Sequence, residues 1–266
     1  MTRAGFHLKQ FIVLVSIMAA PWSLSMPNAS AEGESGETLG SQGRTLPTPR
    51  SVFDRHISAI GGEAAIRHHR YRRMIARFEI PSQNLTSEMD LFAAAPNKLL
   101  SKLRLTGVGE VSRGFDGQIG WLIQPGVGAM RLAGPMLLAI QDEASFYRDL
   151  YLSDDMPTAR VLGIAEFAEK RAYEVRVTRR AGESTEYFDL DTGLLLGTVA
   201  LQIGPSGQIE TKTVLAEYRE FGGVRYPTHL SVWAGPVKTI VTVTAISHER
   251  LDDAVFAVPA SIPRTR

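Results

Sequence analysis

Between Tyr71 and Pro259 the apolar positions fall mostly at every second residue, in runs bounded by Gly, Pro, Asn or Asp. Leu99, Leu103 and Leu105 alternate with Lys102 and Arg104, and Tyr173, Val175 and Val177 alternate with Glu174 and Arg176. A period of two puts one set of side chains on a dry face and the other on a wet face, so these runs predict β-strands. The strands are expected at 71–80, 85–94, 98–106, 108–115, 118–124, 159–165, 172–180, 184–190, 194–203, 208–218, 224–234 and 237–247. Asp116-Gly117, Ala181-Gly182, Asp191-Thr192-Gly193, Pro205-Ser206-Gly207 and Gly222-Gly223 are short turn signals, which predicts antiparallel pairing of successive strands.

Two regions depart from that period. Ahead of the strands, Phe53, Ile57 and Ile60 lie at helical spacing behind Ser51 and Asp54, a capping-box pair, and Gly61-Gly62 ends the helix. A second short helix is expected over Glu63 to His68. In mid-chain, Met136, Leu137, Ile140, Ala144, Tyr147 and Tyr151 form one stripe of a helix over 135–152, with Gln141, Asp142, Glu143 and Arg148 mainly off it. Inserted in a meander, this helix has to lay its apolar face on the sheet. A sheet of so many strands curls as it twists, so the helix closes or fills the hollow of the curl. The expected fold is mainly β with a few helices: an unclosed antiparallel half-barrel with a helical lid.

The first 31 residues change the picture of where this sheet works. Arg3 and Lys9, the apolar run Phe11 to Ala20 and the Ala29-Ser30-Ala31 ending have the form of a secretory signal, cleaved after Ala31. No other run reaches the length of a membrane helix, so a soluble periplasmic product is expected. Residues 32–49, rich in Gly, Ser, Glu and Thr, read as a flexible lead, and 50–266 as one domain.

Charge and chemistry narrow the function classes. Loss of Arg3 and Lys9 takes 29 basic against 28 acidic residues to 27 against 28, which gives no general attraction to nucleic acid. The absence of cysteine excludes disulfides, thiolate metal sites and a cysteine nucleophile. His56, His68 and His69 lack any metal-site signature and read as neutral surface histidines. Gly107-Val108-Gly109 and Gly126-Val127-Gly128 are bends without a following Lys-Ser/Thr, and Gly204-Pro205-Ser206-Gly207 has the wrong order for a serine elbow. No catalytic residue, metal or cofactor is expected. Convergence of His229, Asp189 or Glu217 with a hydroxyl in one cleft would revive a hydrolase reading.

Several short motifs occur in a familiar order. Ala95-Pro96-Asn97-Lys98, then Phe115-Asp116-Gly117 with Trp121 and Pro125, the later helix, Asp191-Thr192-Gly193-Leu194 and Phe256-Ala257-Val258-Pro259 together resemble the bacterial lipoprotein-carrier (LolA/LolB-like) family over residues 51 to 262. The resemblance implies a half-barrel around a hydrophobic cavity, covered by helices, that holds acyl chains without making or breaking bonds. The carrier proper has a basic residue before the Pro-Asn pair, where this chain has Ala95, so the resemblance is to a divergent branch.

The resulting expectation is a non-catalytic periplasmic carrier of an acyl lipid or lipoprotein, with an envelope membrane protein as possible donor or acceptor. The cavity set is Leu99, Leu103, Phe115, Trp121, Met136, Ile140, Tyr147, Val199, Leu201 and Trp233. The alternative is a protein-interaction or envelope-sensor module on the same fold, its interior filled.

Overall fold

The computed structural model describes residues 45–150, 158–204 and 207–263. The signal-like segment, nearly all of the lead and Tyr151 lie outside the described residues.

The first helix, α1 (Pro49–Ala59), begins earlier than the capping box predicts. Thr48 is the cap, its hydroxyl accepting from Ser51 N at 3.2 Å, and Pro49 at the first helical position needs no hydrogen-bonded N–H. Asp54 is instead ion-paired to Arg50 one turn back. Helix α2 (Gly62–His68) follows through Gly61, whose φ of 125° and close approach to Gly223 leave no room for a side chain: a Cβ would lie 2.2 Å from Gly223 O.

The strands are β1 (Tyr71–Ile80), β2 (Leu85–Ala94), β3 (Lys98–Leu105), β4 (Gly109–Phe115), β5 (Gly120–Gln124), β6 (Gly128–Arg131), β7 (Arg160–Phe167), β8 (Lys170–Arg179), β9 (Gly182–Asp189), β10 (Leu195–Gly204), β11 (Gly207–Phe221), β12 (Val224–Ala234) and β13 (Val237–Ser247). β6 is the addition to the predicted set; four residues after a Gly bend are too few for alternation to register. All pairings are antiparallel within one 13-stranded sheet, ordered β6-β5-β4-β3-β2-β1-β13-β12-β11-β10-β9-β8-β7. The sheet is two meanders that run outward from the β1–β13 pair, and β6 and β7 are its two edges. It is an open half-barrel.

Alternation then places the core. Met74, Ala76 and Phe78 of β1, Leu91 and Ala93 of β2, Leu99 and Leu103 of β3, Val111 and Phe115 of β4 and Val241 and Val243 of β13 join one cluster on the inner face. Val52 and Phe53 of α1 enter the same cluster, with Phe53 edge-on to Phe188 at 5.8 Å. Ile57 and Ile60 pack instead with Ile66, Val224 and Tyr226. The outer face of β2–β5 is covered separately by the C-terminal segment. Phe256, the last residue of a 3-10 turn capped by Asp252, and Ile262 bury Ala94, Leu100 and Trp121 there.

Candidate functional site

The chain leaves the sheet at edge β6 and re-enters it at the opposite edge, β7. The segment between them includes α3 (Gly134–Ala144) and a 3-10 turn (Arg148–Leu150). The helix stops at Ala144, eight residues before 152, because at Ser145 the backbone becomes extended and Phe146 N donates to Pro96 O at 3.0 Å instead of to its own helix. Tyr147 therefore belongs to the segment after the helix, where its hydroxyl donates to His69 O at 3.1 Å.

The lid helix lies close to β5 because Gly120 has no side chain: a Cβ there would meet Leu137 at 3.0 Å and Ile140 at 3.1 Å. Its polar face is the surprise. Asp142 and Glu143, expected off the apolar stripe, are both buried. Each ties α3 to a different wall. Glu143 Oε1 accepts from Arg113 Nη2 of β4 at 2.5 Å, and Asp142 Oδ2 accepts from Ala181 N, between β8 and β9, at 2.9 Å. α3 is thus a bar with an ionic fastening on one wall and a backbone fastening on the other. Burial raises the Asp142 carboxyl above its usual range, against the Ala181 N–H and the charges of Arg148, Arg179 and Arg180. Arg113 was legible as an inner-face residue, since it shares the period of Val111 and Phe115; a cation in that register asks for a buried partner.

One space adjoins this bar, and another lies by the turn that follows it. One is a cleft of about 800 Å³ between Pro96 and Phe115 on one wall, Tyr147 beneath the lid, and Thr178, Arg179 and Arg180 on the other. Arg179 Nη1 donates to the inner-face Glu186 at 2.5 Å. The second is a small space of about 30 Å³ bounded by His56, Arg72, Asp149, Tyr218 and Tyr226, room for a water or two. His56 is not on the surface as expected: it is 3% exposed, its Nδ1 lies 3.1 Å from Gly193 O, and burial lowers its pKa. Nearby, His248 stacks on His69 with centroids 3.7 Å apart and its Nε2 lies 3.0 Å from the Tyr226 hydroxyl. Burial first, then His69 and Arg72, push His248 down to about 4.

The ten expected cavity residues are not brought together. Leu99, Leu103, Phe115 and Ile140 are in the inner cluster and Tyr147 packs against it; of these, Phe115 and Tyr147 reach the cleft. Met136 is 51% exposed at the start of α3. Trp121 points to the outer face, over Gly114 and under Phe256. Val199 packs with Phe167 and Leu196 in a separate cluster, and Leu201 is 44% exposed. Trp233 is half-buried beside Lys238, 5.0 Å from its ring. The split follows from parity: Val199 stands opposite Lys212 and Trp233 opposite Lys212 and Lys238, whereas the inner positions of those strands are Ala200, Thr211 and Val232. His229, Asp189 and Glu217 do not line either space. Asp189 is used in its own turn, where burial is outweighed by donation from Thr192 and Asp191 and its pKa is lowered, and Glu217 is paired to Arg219.

Comparison with known proteins follows this geometry. No family model and no curated protein matches the chain. Solved structures do. A LolA superfamily protein from Nitrosomonas europaea superposes with a TM-score of 0.55 at 11% identity, covering 80% of this chain and 99% of that one. A DUF1329 family protein from Desulfovibrio piger gives 0.53 at 13% identity over 79% and 98%. A domain described as an outer membrane lipoprotein-sorting protein from Vibrio parahaemolyticus gives 0.51 at 10% identity over 77% and 94%. At these identities the likeness is one of fold: the open sheet with its crossing helix is a LolA-like half-barrel. The resemblance read in the sequence led to the same architecture.

Proposed function

We propose that the protein is an exported, non-catalytic binding protein that shelters an acyl lipid, or the acylated end of a lipoprotein, on the inner side of the half-barrel with α3 as its cover. The carrying observation is the fastening of α3. The cover is held to both walls by polar contacts, Glu143 to Arg113 and Asp142 to Ala181 N, which can be exchanged for water when it lifts. A cover joined by a large apolar face alone would have no such exchange. The fold likenesses support the reading, since one of those structures is described as an outer membrane lipoprotein-sorting protein domain and another as a LolA superfamily protein. The signal-like N-terminus supports a periplasmic location.

Burying a methylene is worth about 0.8 kcal/mol, so a sixteen-carbon chain gains on the order of 12 kcal/mol before entropy and the cost of leaving a membrane. Transfer then needs a lid-opening step or a membrane-protein partner of comparable weight. Mass spectrometry of the natively purified protein is expected to find a co-purifying acyl lipid, and the delipidated protein is expected to take up a fluorescent fatty acid. Absence of both refutes the proposal.

One observation favours a second reading, an interaction or sensor module. Phe53, Phe78, Ile80, Leu99, Leu103 and Ile140 are each at most 2% exposed, so the described core is tightly filled. Under that reading no lipid is bound, and a stoichiometric envelope protein is recovered with the chain.

A further inference from the structure

We infer that His248 is a proton-operated release for the root of α3: a proton taken up there breaks a directional hydrogen-bond chain and loosens Phe146 and Tyr147, which fix the end of the cover. The consequence for ligand release rests on the acyl-binding reading above.

Direction in this chain is imposed from one end. The Arg72 guanidinium can only donate, and it donates to the phenol oxygen of Tyr226. That phenol is buried, so its own O–H needs an acceptor, which His248 Nε2 supplies at 3.0 Å. Nε2 accepts only while the ring is neutral. A proton on Nε2 turns the acceptor into a donor, so the phenol oxygen meets donors from both sides and its hydrogen is left without a partner. The charged ring then also stands near the Arg72 cation.

The surroundings of His248 offer the proton nothing in return. From the link between α2 and β1, His69 stacks on it with centroids 3.7 Å apart, and His68 lies edge-on behind His69. His69 Nε2 is 2.7 Å from Gly222 O, and both stacked rings lie against Gly222, where a Cβ would come within 3.0 Å of each. β1 brings Arg72 and β12 brings Tyr226, on which the charge of Asp149 also acts. Glu249 and Arg250 of its own segment are exposed. Burial first, then the charges of His69 and Arg72, hold the ring neutral down to about pH 4.

Both partners of His248 also hold the root of the cover. The Arg72 guanidinium lies 5.6 Å from the ring centroids of Phe146 and of Tyr226, so the group that starts the chain is packed between them. The His69 carbonyl accepts from the Tyr147 hydroxyl at 3.1 Å, and Arg67 lies over the Tyr147 ring. Disturbing the stacked pair therefore reaches both residues that follow α3.

The test is hydrogen exchange read by mass spectrometry on the purified full-length protein between pH 7 and 4.5, each rate being divided by that of the unstructured peptide at the same pH. A ring that titrates at 6.5 when released and at about 4 in place favours release on the order of fiftyfold more at pH 4.5 than at 7. The amides of 145–150 are expected to gain that factor while those of the β1–β13 pair stay protected. His248→Gln keeps an acceptor for the Tyr226 hydroxyl but takes no proton, and is expected to remove the acid response. Tyr226→Phe breaks the chain at every pH, and is expected to give fast exchange over 145–150 already at pH 7. In the parent protein a bound fluorescent fatty acid is expected to leave faster over the same interval, and in His248→Gln it is not. An equal acid response in parent and His248→Gln, no response in the parent, or slow exchange at pH 7 in Tyr226→Phe overturns this inference and leaves the acyl-binding proposal standing. The expected exchange response in a protein that takes up no fatty acid at any pH overturns the acyl-binding proposal and leaves the switch.

Discussion

The fastening of α3 is open to direct measurement through Glu143 and Arg113. Their side chains are 4% and 7% exposed and their charged atoms 2.5 Å apart, so neither charge is hydrated when the lid is closed. Removing one member of a buried pair strands the other, at a cost of roughly 3–5 kcal/mol, whereas replacing both with apolar groups of similar volume costs little. Glu143→Leu and Arg113→Met are each expected to lose about 3 kcal/mol or more in urea unfolding followed by tryptophan fluorescence. The double variant is expected to lose far less than the two together, with a coupling above about 2 kcal/mol. Hydrogen exchange adds the location. In the parent protein the α3 amides are expected to exchange faster than those of the β1–β13 pair, and in Glu143→Leu on the order of a hundredfold faster again, since each 1.4 kcal/mol is about tenfold. Additive single losses, or α3 amides as protected as the sheet centre, would refute the clasp as described.

Other expected outcomes are simpler to read. Asp142 has its pKa raised from 3.8, so the unfolded chain gives up this proton more readily and stability falls as pH rises from 3.8 through the raised native value. Asp142→Asn keeps an acceptor for Ala181 N and is expected to remove that loss, seen as an unchanged or higher urea midpoint at neutral pH; a large drop would contradict it. His248 titrates at about 4 when native against 6.5 unfolded, so its contribution is complete above 6.5 and lost as pH falls through about 4. His248→Gln should flatten the acid limb of a pH–stability curve over that interval, and an unaltered limb argues against the stacked pair. Phe53→Ala, at a fully buried site beside Phe188, is expected to cost about 3–5 kcal/mol in urea unfolding.

The strand series and its antiparallel order were legible because period two repeats over long stretches with turn residues between. Parity also told inner from outer positions on β3, where Leu99 and Leu103 went to the core. It did not tell them apart for Val199 and Leu201, because a bulge resets it: the register of β10 against β9 shifts between Leu195 and Gly197. Trp121 was assigned to the cavity as a large apolar residue, yet it faces out because the C-terminal segment gives it a second, separate core. The two clasps were hidden for another reason. Acidic side chains on a helix ordinarily point to water, and only the closeness of Arg113 and of the Ala181 amide to α3 makes burial of Asp142 and Glu143 tolerable. Such proximity belongs to the folded sheet and has no local signal.

The pairing of β1 with β13 joins the first strand synthesised to the last. The middle of the sheet therefore cannot assemble on a growing polypeptide until residues 237–247 have appeared, and each flanking meander waits with an unsatisfied backbone edge where its neighbour belongs. Such delayed, long-range closure makes folding slow. Under the proposed export, in which the chain is threaded through a translocase before it collapses, tardiness of this kind is an advantage.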